Sequence, residues 1–193
     1  MSKDIYILLT RTGTMVSNTV KLYTRKPFNH VSISLDEELN ELYSFGRKIP
    51  WNPLIAGFIQ ENIFYGTYAR FPDTTCEVYK YSVDKDTWNK IRQNINFFKE
   101  QEGIYRYNLI GLFCVMLNKP LNREKAFFCS QFVSHIFVES GLELFDKNIG
   151  LMTPDDFRHL EGFDLIYEGD LLDYAFTTSS IPKLEESLVL TSK

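Results

Sequence analysis

Cysteine and histidine are the residue types in this chain best suited to covalent chemistry, and there are three of each. Cys129 begins a predicted helix, where unpaired backbone N–H groups and the positive end of the helix dipole favour a thiolate and can hold an oxyanion. Cys129 also shares a helical face with Val133 and Ile136, so the residues alone leave open a core role for this thiol. Cys114, inside an apolar stretch, is predicted to be a core residue, and the position of Cys76 near a strand start predicts no chemistry.

Thiol catalysis requires a base, and spacing separates the three histidines. His135 follows Cys129 by six positions on the same predicted helix, which places it about 240° around the helix axis. His159 is flanked by charged residues and is predicted to lie on the surface. His30 opens a predicted strand with Ser32 on the same face, because strand side chains alternate. His30 is therefore the candidate base, and the alternative is a partly exposed histidine without a chemical role.

Composition limits the other functional classes. The chain has 193 residues, 44% of them hydrophobic, which predicts a globular protein. Its formal charge of −4 is evenly spread and does not suggest nucleic-acid binding. The cysteines lie 38 and 15 residues apart, which matches neither a zinc site nor a disulfide framework. Without a glycine-rich phosphate loop as well, we expect no metal and no organic cofactor.

The apolar stretches predict neither export nor membrane insertion. Only five apolar residues, Ile5 to Leu9, follow the polar start of the chain, which is too short for a signal peptide. The longest apolar run, Leu109 to Leu117, is nine residues, about half of what a bilayer crossing requires. We therefore predict a buried helix there, no transmembrane segment, and a cytoplasmic protein.

The order of the predicted elements favours an α+β fold, because strands and helices are segregated along the chain. One domain is expected over residues 1–176, followed by a tail at 177–193. Residues 46–53 are predicted to form a loop, and residues 58–68 are ambiguous between helix and strand. The predicted strands are Asp4–Thr10, His30–Leu35, Leu42–Gly46, Cys76–Tyr81 and Phe163–Tyr167, and the predicted helices are Thr14–Tyr23, one containing Trp88 to Phe98, one from near Asn108, Phe128–Ser140 and one that starts at Thr153.

Three sequence strings carry a family resemblance. They are residues 29–33 (Asn-His-Val-Ser-Ile), residues 128–133 (Phe-Cys-Ser-Gln-Phe-Val) and residues 153–157 (Thr-Pro-Asp-Asp-Phe). In this order they resemble the circularly permuted branch of the NlpC family of papain-like cysteine hydrolases, which includes YiiX-like proteins and is similar in plan to lecithin retinol acyltransferase. In such families the histidine strand precedes the cysteine helix, and His30 lies 99 residues before Cys129.

The resemblance implies a permuted papain-like fold in which an antiparallel sheet packs against a helical lobe. It also implies that Cys129 is the nucleophile and that His30 is its general base. The thiolate would attack an acyl carbon and form a thioester. The backbone N–H groups of Cys129 and Ser130 are the expected donors to the oxyanion.

A third polar residue on the strand after His30 orients the imidazole in related proteins. The hydrophobic pattern of residues 41–46 places Ser44 at this position. A shift of one residue in the hairpin register would instead bring Tyr43 or Glu41 beside His30. Since serine is a weak substitute for histidine or glutamate here, the sequence leaves the efficiency of the site open.

The leading functional expectation is a thiol hydrolase that cleaves an amide or an ester. The substrate would be a small molecule, a peptide or a lipid amide. Alternatives are an acyltransferase, which differs only in the acceptor that resolves the thioester, and an inactive binding module that retains the fold. The sequence does not indicate an oligomeric state.

Overall fold

One eight-stranded sheet organises the residues that the computed structural model describes, namely 2–12, 26–49 and 52–178. The strand order is β7-β6-β4-β3-β2-β1-β5-β8, and every pair is antiparallel except β6 and β7. Together with the helices, this confirms the predicted α+β class. The strands are β1 (Ser2–Arg11), β2 (His30–Ser34), β3 (Leu42–Ile49), β4 (Asn52–Glu61), β5 (Thr75–Asp84), β6 (Arg106–Tyr107), β7 (Ala126–Phe127) and β8 (Asp164–Asp170).

Capping residues mark the start of one helix and the end of another. The carboxylate of Asp84 accepts hydrogen bonds from the N–H groups of Asp86 and Thr87 at the start of α2. Gly141 follows α4 with a φ of +85°, a left-handed conformation that glycine adopts without strain. The helices are α1 (Gly66–Arg70), α2 (Lys85–Glu100), α3 (Leu109–Met116), α4 (Cys129–Glu139) and α5 (Leu171–Thr178), with 3-10 helices at Ile149–Leu151 and Pro154–His159.

Apolar residues cover both faces of the sheet, which explains the nearly continuous apolar run of β1. Ile5, Ile7 and Leu9 belong to the larger core cluster, which also contains the buried residues of α2 and α4. Tyr6 and Leu8 point to the other face, where they join a smaller cluster with residues of α5. A strand that is buried on both faces needs apolar side chains at consecutive positions.

The loop predicted at residues 46–53 is wrong. Strand β3 continues to Ile49, and β4 starts at Asn52, with a register shift between Arg47 and Ile49. Proline is tolerated near the start of a strand, where it removes no central ladder hydrogen bond, so Pro53 does not prevent β4 from forming. The ambiguous residues 58–68 divide into the end of β4 and the start of α1.

The buried helix predicted at Leu109–Leu117 is wrong in its burial. Helix α3 forms there, but Ile110, Phe113 and Leu117 are exposed, and Cys114 is only partly buried. The apolar run correctly predicted a helix. Whether the side chains of that helix are buried depends on the elements that pack against it, and the local sequence does not specify those elements.

Two predicted features fall outside the described residues. The helix at Thr14–Tyr23 is one of them. The other is residues 179–193, most of the predicted tail, since α5 extends to Thr178. Within the part of the chain that the structure describes, no helix is both long enough and apolar enough to cross a membrane.

Candidate active site

Cys129 is the first residue of α4, and its side chain is buried. The residue before it, Phe128, occupies the N-cap in an extended conformation and has no side-chain acceptor to offer. The first N–H groups of α4 therefore receive no side-chain cap. Because the positive end of the helix dipole lies at the same place, this end of α4 favours a negative charge on sulfur or on a bound oxygen.

The two residues after Cys129 fix the start of α4. The Ser130 hydroxyl donates a hydrogen bond to the carbonyl of Met152 at 2.6 Å. The Gln131 side chain accepts from Asn108 at 3.3 Å and donates to Asn122 at 3.2 Å. The Cys-Ser-Gln string thus combines one candidate nucleophile with two residues that bind α4 to the surrounding segments.

His30 reaches Cys129 from the first position of β2. The strand is held by pairing with β1, in which His30 lies opposite Thr10. The His30 imidazole lies close enough to the Cys129 side chain that their interaction helps to raise the His30 pKa. The structure therefore brings together the thiol and the imidazole that the sequence singled out.

Glu61, the last residue of β4, contacts the other side of the imidazole. Its Oε1 lies 2.7 Å from His30 Nε2 and accepts from the Ser44 hydroxyl at 2.8 Å. Its Oε2 accepts from the Ser32 hydroxyl at 2.5 Å and from the Tyr68 hydroxyl at 3.1 Å. Since Nε2 is engaged with Glu61, we infer that Nδ1 is the ring nitrogen that faces the thiol.

Charge and burial shift the pKa values of His30 and Glu61 in opposite directions. Burial disfavours the imidazolium of His30, but the charge of Glu61 and the hydrogen bonds to Cys129 and Glu61 outweigh it and raise the His30 pKa from 6.5 to about 10. Burial also disfavours the Glu61 carboxylate, yet the nearby imidazolium and the hydrogen bonds from His30, Ser32 and Ser44 lower the Glu61 pKa below 4.5. A charged pair is therefore the dominant form at neutral pH.

None of the three candidates for orienting His30, namely Ser44, Tyr43 and Glu41, takes the expected position as the side chain that orients the imidazole. Ser44 donates its hydroxyl to Glu61, so that it acts on the carboxylate that contacts the imidazole. The Tyr43 ring is buried on the opposite face of the sheet and stacks on Phe58. Glu41 pairs with Arg92 at 2.8 Å. The carboxylate comes instead from the next strand, because the small side chain of Ser44 leaves room for Glu61 to reach across β3.

Sequence reasoning missed Glu61 because the segment that contains it did not read as a strand. The sequence predicts a loop at residues 46–53 and leaves residues 58–68 ambiguous between helix and strand. Residues 54–61 read Leu-Ile-Ala-Gly-Phe-Ile-Gln-Glu, which does not alternate between apolar and polar side chains and so gives no clear strand signal. Tyr68 lies in the same group of polar side chains around Glu61, and its hydroxyl is 3.5 Å from the hydroxyl of Thr10.

Tyr107, the last residue of β6, is near enough to Cys129 for the two side chains to interact electrostatically. Burial raises the pKa of the Tyr107 phenol, and the interaction with Cys129 raises it further, whereas Arg47 opposes this shift. The phenol therefore keeps its proton at neutral pH and can donate a hydrogen bond. Tyr107 is a candidate second donor to an oxyanion.

The remaining chemical residues lie elsewhere. The His135 ring packs 4.9 Å from Phe127, and burial lowers the His135 pKa. His159 is exposed, as its charged neighbours predicted. Cys76 is buried on the opposite side of the sheet, where burial raises its pKa to about 12.

The Thr-Pro-Asp-Asp-Phe string has a structural role. Thr153 and Asp156 form a reciprocal capping box at the start of the second 3-10 helix. Asp155 is buried and pairs with Lys26 at 2.6 Å, four residues before His30. This contact links the segment before β2 to the second 3-10 helix.

A cavity of about 200 Å³ adjoins the carboxylate side of the site. Glu61 and Tyr68 form part of its wall, and Arg47 lies at the same opening. A ligand there would contact the groups that position the imidazole.

No set of three or more histidine, cysteine, aspartate or glutamate side chains among the described residues is arranged to hold a metal ion. Comparison of the chain with protein-family models, curated proteins and solved structures gives no match. The functional interpretation therefore rests on the chemistry of the site residues.

Proposed function

We propose that the protein is a thiol hydrolase that cleaves an amide or an ester through a thioester on Cys129. His30 is the acid and base of this reaction, and Glu61 is its positioning residue. The observation that carries the proposal is the contact of one imidazole with both a thiol at a helix start and a buried carboxylate. A nucleophile, a base and a group that orients the base are the three parts that acyl transfer requires.

In the first half of the reaction Cys129 attacks as a thiolate while His30 carries the proton as an imidazolium, and the sulfur bonds to the acyl carbon of the substrate. The carbonyl π electrons move to oxygen and give a tetrahedral oxyanion. When that oxyanion collapses, the bond to the leaving amine or alcohol breaks, and the His30 imidazolium donates its proton to the departing atom. The products are a neutral leaving group, a neutral imidazole and a thioester on Cys129.

In the second half a water molecule attacks the thioester. His30 accepts a proton from this water, and the carbon–sulfur bond breaks as the second tetrahedral intermediate collapses. The acid is released, and the thiolate and imidazolium are restored. Glu61 remains ionised throughout, so its charge stabilises the imidazolium at both stages.

The oxyanion would be stabilised by groups that are already in place. The N–H groups at the start of α4 carry no side-chain cap, and the protonated phenol of Tyr107 is near enough to Cys129 to interact with it electrostatically. Donors that are fixed before the reaction stabilise the developing charge without reorganisation, and the loss of one typically costs about 10²–10³ in rate.

The test is selective alkylation followed by acyl trapping. Treatment with limiting iodoacetamide between acid and neutral pH, followed by peptide mapping, should place the first adduct on Cys129. Cys76 is the internal control, because burial raises its pKa to about 12. An activated ester such as p-nitrophenyl acetate should then add one acetyl group to Cys129, which intact-mass analysis detects.

The histidine supplies the matched control. His30→Ala should slow alkylation of Cys129 near neutral pH, whereas His135→Ala should not, since His135 packs against Phe127 on the other side of α4. Equal reactivity of Cys129 and Cys76, unchanged by His30→Ala, would contradict the proposal.

A further inference from the structure

Helix α3 exposes an apolar surface that the fold does not cover. Its sequence, Leu-Ile-Gly-Leu-Phe-Cys-Val-Met, contains no charged residue, yet Gly111 is its only buried residue. The large exposed side chains on and next to it are Ile104, Leu109, Ile110, Phe113 and Leu117. We call these five residues the α3 surface. A contiguous exposed apolar patch of this kind is typical of an interaction site.

Hydrogen bonds from a buried residue fix the start of α3. The apolar side chains of this helix are therefore exposed while the helix is attached to the rest of the fold. Asn108 caps α3 by accepting from the N–H of Gly111 at 3.0 Å. The Asn108 amide also donates to the carbonyl of Leu121 and to Gln131 of α4. The cap is fully buried, and it ties the base of the α3 surface to the helix that carries Cys129.

The chain segment that contains α3 carries a net positive charge. The connection from α2 to β7, residues 101–125, contains four cations and two anions, a net charge of +2 in a chain whose net charge is −4. One of the anions, Glu102, is paired with Lys48 at 3.0 Å. The cations are Arg106, Lys119, Arg123 and Lys125, all exposed, and none of them forms an ion pair within the part of the chain that the structure describes.

We propose that the α3 surface docks on an anionic lipid bilayer. Apolar side chains enter the interface between headgroups and acyl chains, and the surrounding cations bind the lipid phosphates. A second copy of this chain is a poorer occupant, because a symmetric contact would bring the same cations together. The proposal does not depend on the catalytic role of Cys129.

Docking of this surface would place the candidate active site next to the lipid. Tyr107, which interacts electrostatically with Cys129, immediately precedes the Asn108 cap of α3. A substrate held in or near the headgroup layer would therefore have a short route to the thiol. Water-soluble substrates would remain accessible to the free protein.

The test is co-sedimentation of the full chain with two kinds of vesicle. One kind is phosphatidylcholine alone, and the other contains about one third phosphatidylglycerol. We expect binding to the anionic vesicles at low ionic strength and weaker binding to both at high salt, because salt screens the cations. The variant Phe113→Ser should lower the partition coefficient by about tenfold, since it removes the largest side chain of the α3 surface.

The matched control is Phe176→Ser on α5. Phe176 is 53% exposed and Phe113 is 56% exposed, so both substitutions remove the same amount of exposed aromatic surface. A second pair tests the charges. Lys119→Gln with Arg123→Gln should weaken binding about 30-fold, whereas Lys85→Gln with Lys90→Gln on α2 should leave it nearly unchanged.

Three outcomes would overturn the proposal. The first is failure of the wild-type chain to bind anionic vesicles at low ionic strength. The second is equal loss of binding in Phe113→Ser and Phe176→Ser. The third is a concentration-dependent dimer, measured by sedimentation velocity, that Phe113→Ser dissociates, since the α3 surface would then be an interface between copies.

Discussion

The replacement Glu61→Gln tests whether the buried carboxylate controls the charge of His30. The substitution keeps the size of the side chain and an oxygen that can accept hydrogen bonds, but it removes the negative charge. In the wild-type protein burial lowers the His30 pKa, but the Glu61 charge, together with the interactions with Cys129 and the hydrogen bond to Glu61, raises it from 6.5 to about 10. Converted at 1.36 kcal/mol per pH unit, this is a preference of about 5 kcal/mol for the imidazolium.

Without the carboxylate, burial is left as the largest influence on the imidazole. We expect the His30 pKa to fall below 6.5 in Glu61→Gln, so that the ring is neutral at pH 7. Titration of the imidazole resonances in protein labelled with ¹³C-histidine measures this directly. Turnover of an activated ester should fall by about 10²-fold at neutral pH, because the acid that protonates the leaving group is lost.

The same substitution should change the pH dependence of stability. Stabilisation from the raised His30 pKa is complete below pH 6.5 and is lost as the pH rises through about 10. Stabilisation from the lowered Glu61 pKa is complete above pH 4.5 and is lost as the pH falls through the folded value. The difference in unfolding free energy between wild type and Glu61→Gln should therefore be greatest between pH 4.5 and 6.5.

Urea unfolding across this pH range should give a maximum difference of about 3 kcal/mol, the lower end for breaking a buried pair, because His30 can release its proton. Glu41→Gln is the matched control. Its carboxylate pairs with Arg92 near the surface, so we expect a loss of at most about 1 kcal/mol and normal turnover. An unchanged His30 titration in Glu61→Gln would refute the reasoning.

Three further substitutions test the surroundings of the site. Tyr107→Phe should lower kcat by about 10-fold to 100-fold with little change in KM, because it removes a donor that acts on the oxyanion formed at Cys129. Ser44→Ala should destabilise the protein by about 2 kcal/mol in urea unfolding and lower the His30 pKa only slightly, since Glu61 keeps its charge and three other donors. Phe45→Ala should cost about 3–5 kcal/mol of unfolding free energy, because this ring is fully buried among four other phenylalanines.

The Tyr107→Phe and Ser44→Ala predictions each have a control at a neighbouring residue. Tyr105→Phe changes a tyrosine that packs on Phe98, so its kcat should remain normal. Ser34→Ala removes a buried hydroxyl of β2 that donates to the backbone of Asp36, so it should not alter the His30 titration. Equal kinetic effects of Tyr107→Phe and Tyr105→Phe, or a Ser44→Ala variant in which the His30 pKa returns to 6.5, would contradict the assigned roles.

Local sequence patterns predicted the elements whose signals are complete within a short window. The polar and apolar alternation from His30 onward gave β2, and Trp88 with its three- and four-residue spacings gave α2. The α+β class followed from the order of such elements. The permuted papain-like arrangement implied by the resemblance remains a prediction.

What the sequence could not predict depended on contacts between distant segments. Glu61 reaches the imidazole from β4, whose pairing with β3 places Glu61 opposite Leu42 and within hydrogen-bond distance of the Ser44 hydroxyl. The exposure of Phe113 depends on which elements pack against α3, and an apolar run gives the same local signal whether it is covered or not. The thiol and the imidazole were found because their residue types are rare in this chain.

Because of the connectivity of the sheet, His30 and Glu61 can come together earlier during synthesis than Cys129 can join them. Strands β2, β3 and β4 are consecutive, so His30 and Glu61 can meet as soon as a hairpin-linked meander of about 30 residues has left the ribosome. The sulfur is translated 68 positions after Glu61, on a helix that still has to dock. A nascent chain can therefore form the His30–Glu61 pair before the helix that carries Cys129 has been synthesised. Cys129 then docks next to a pair that is already charged.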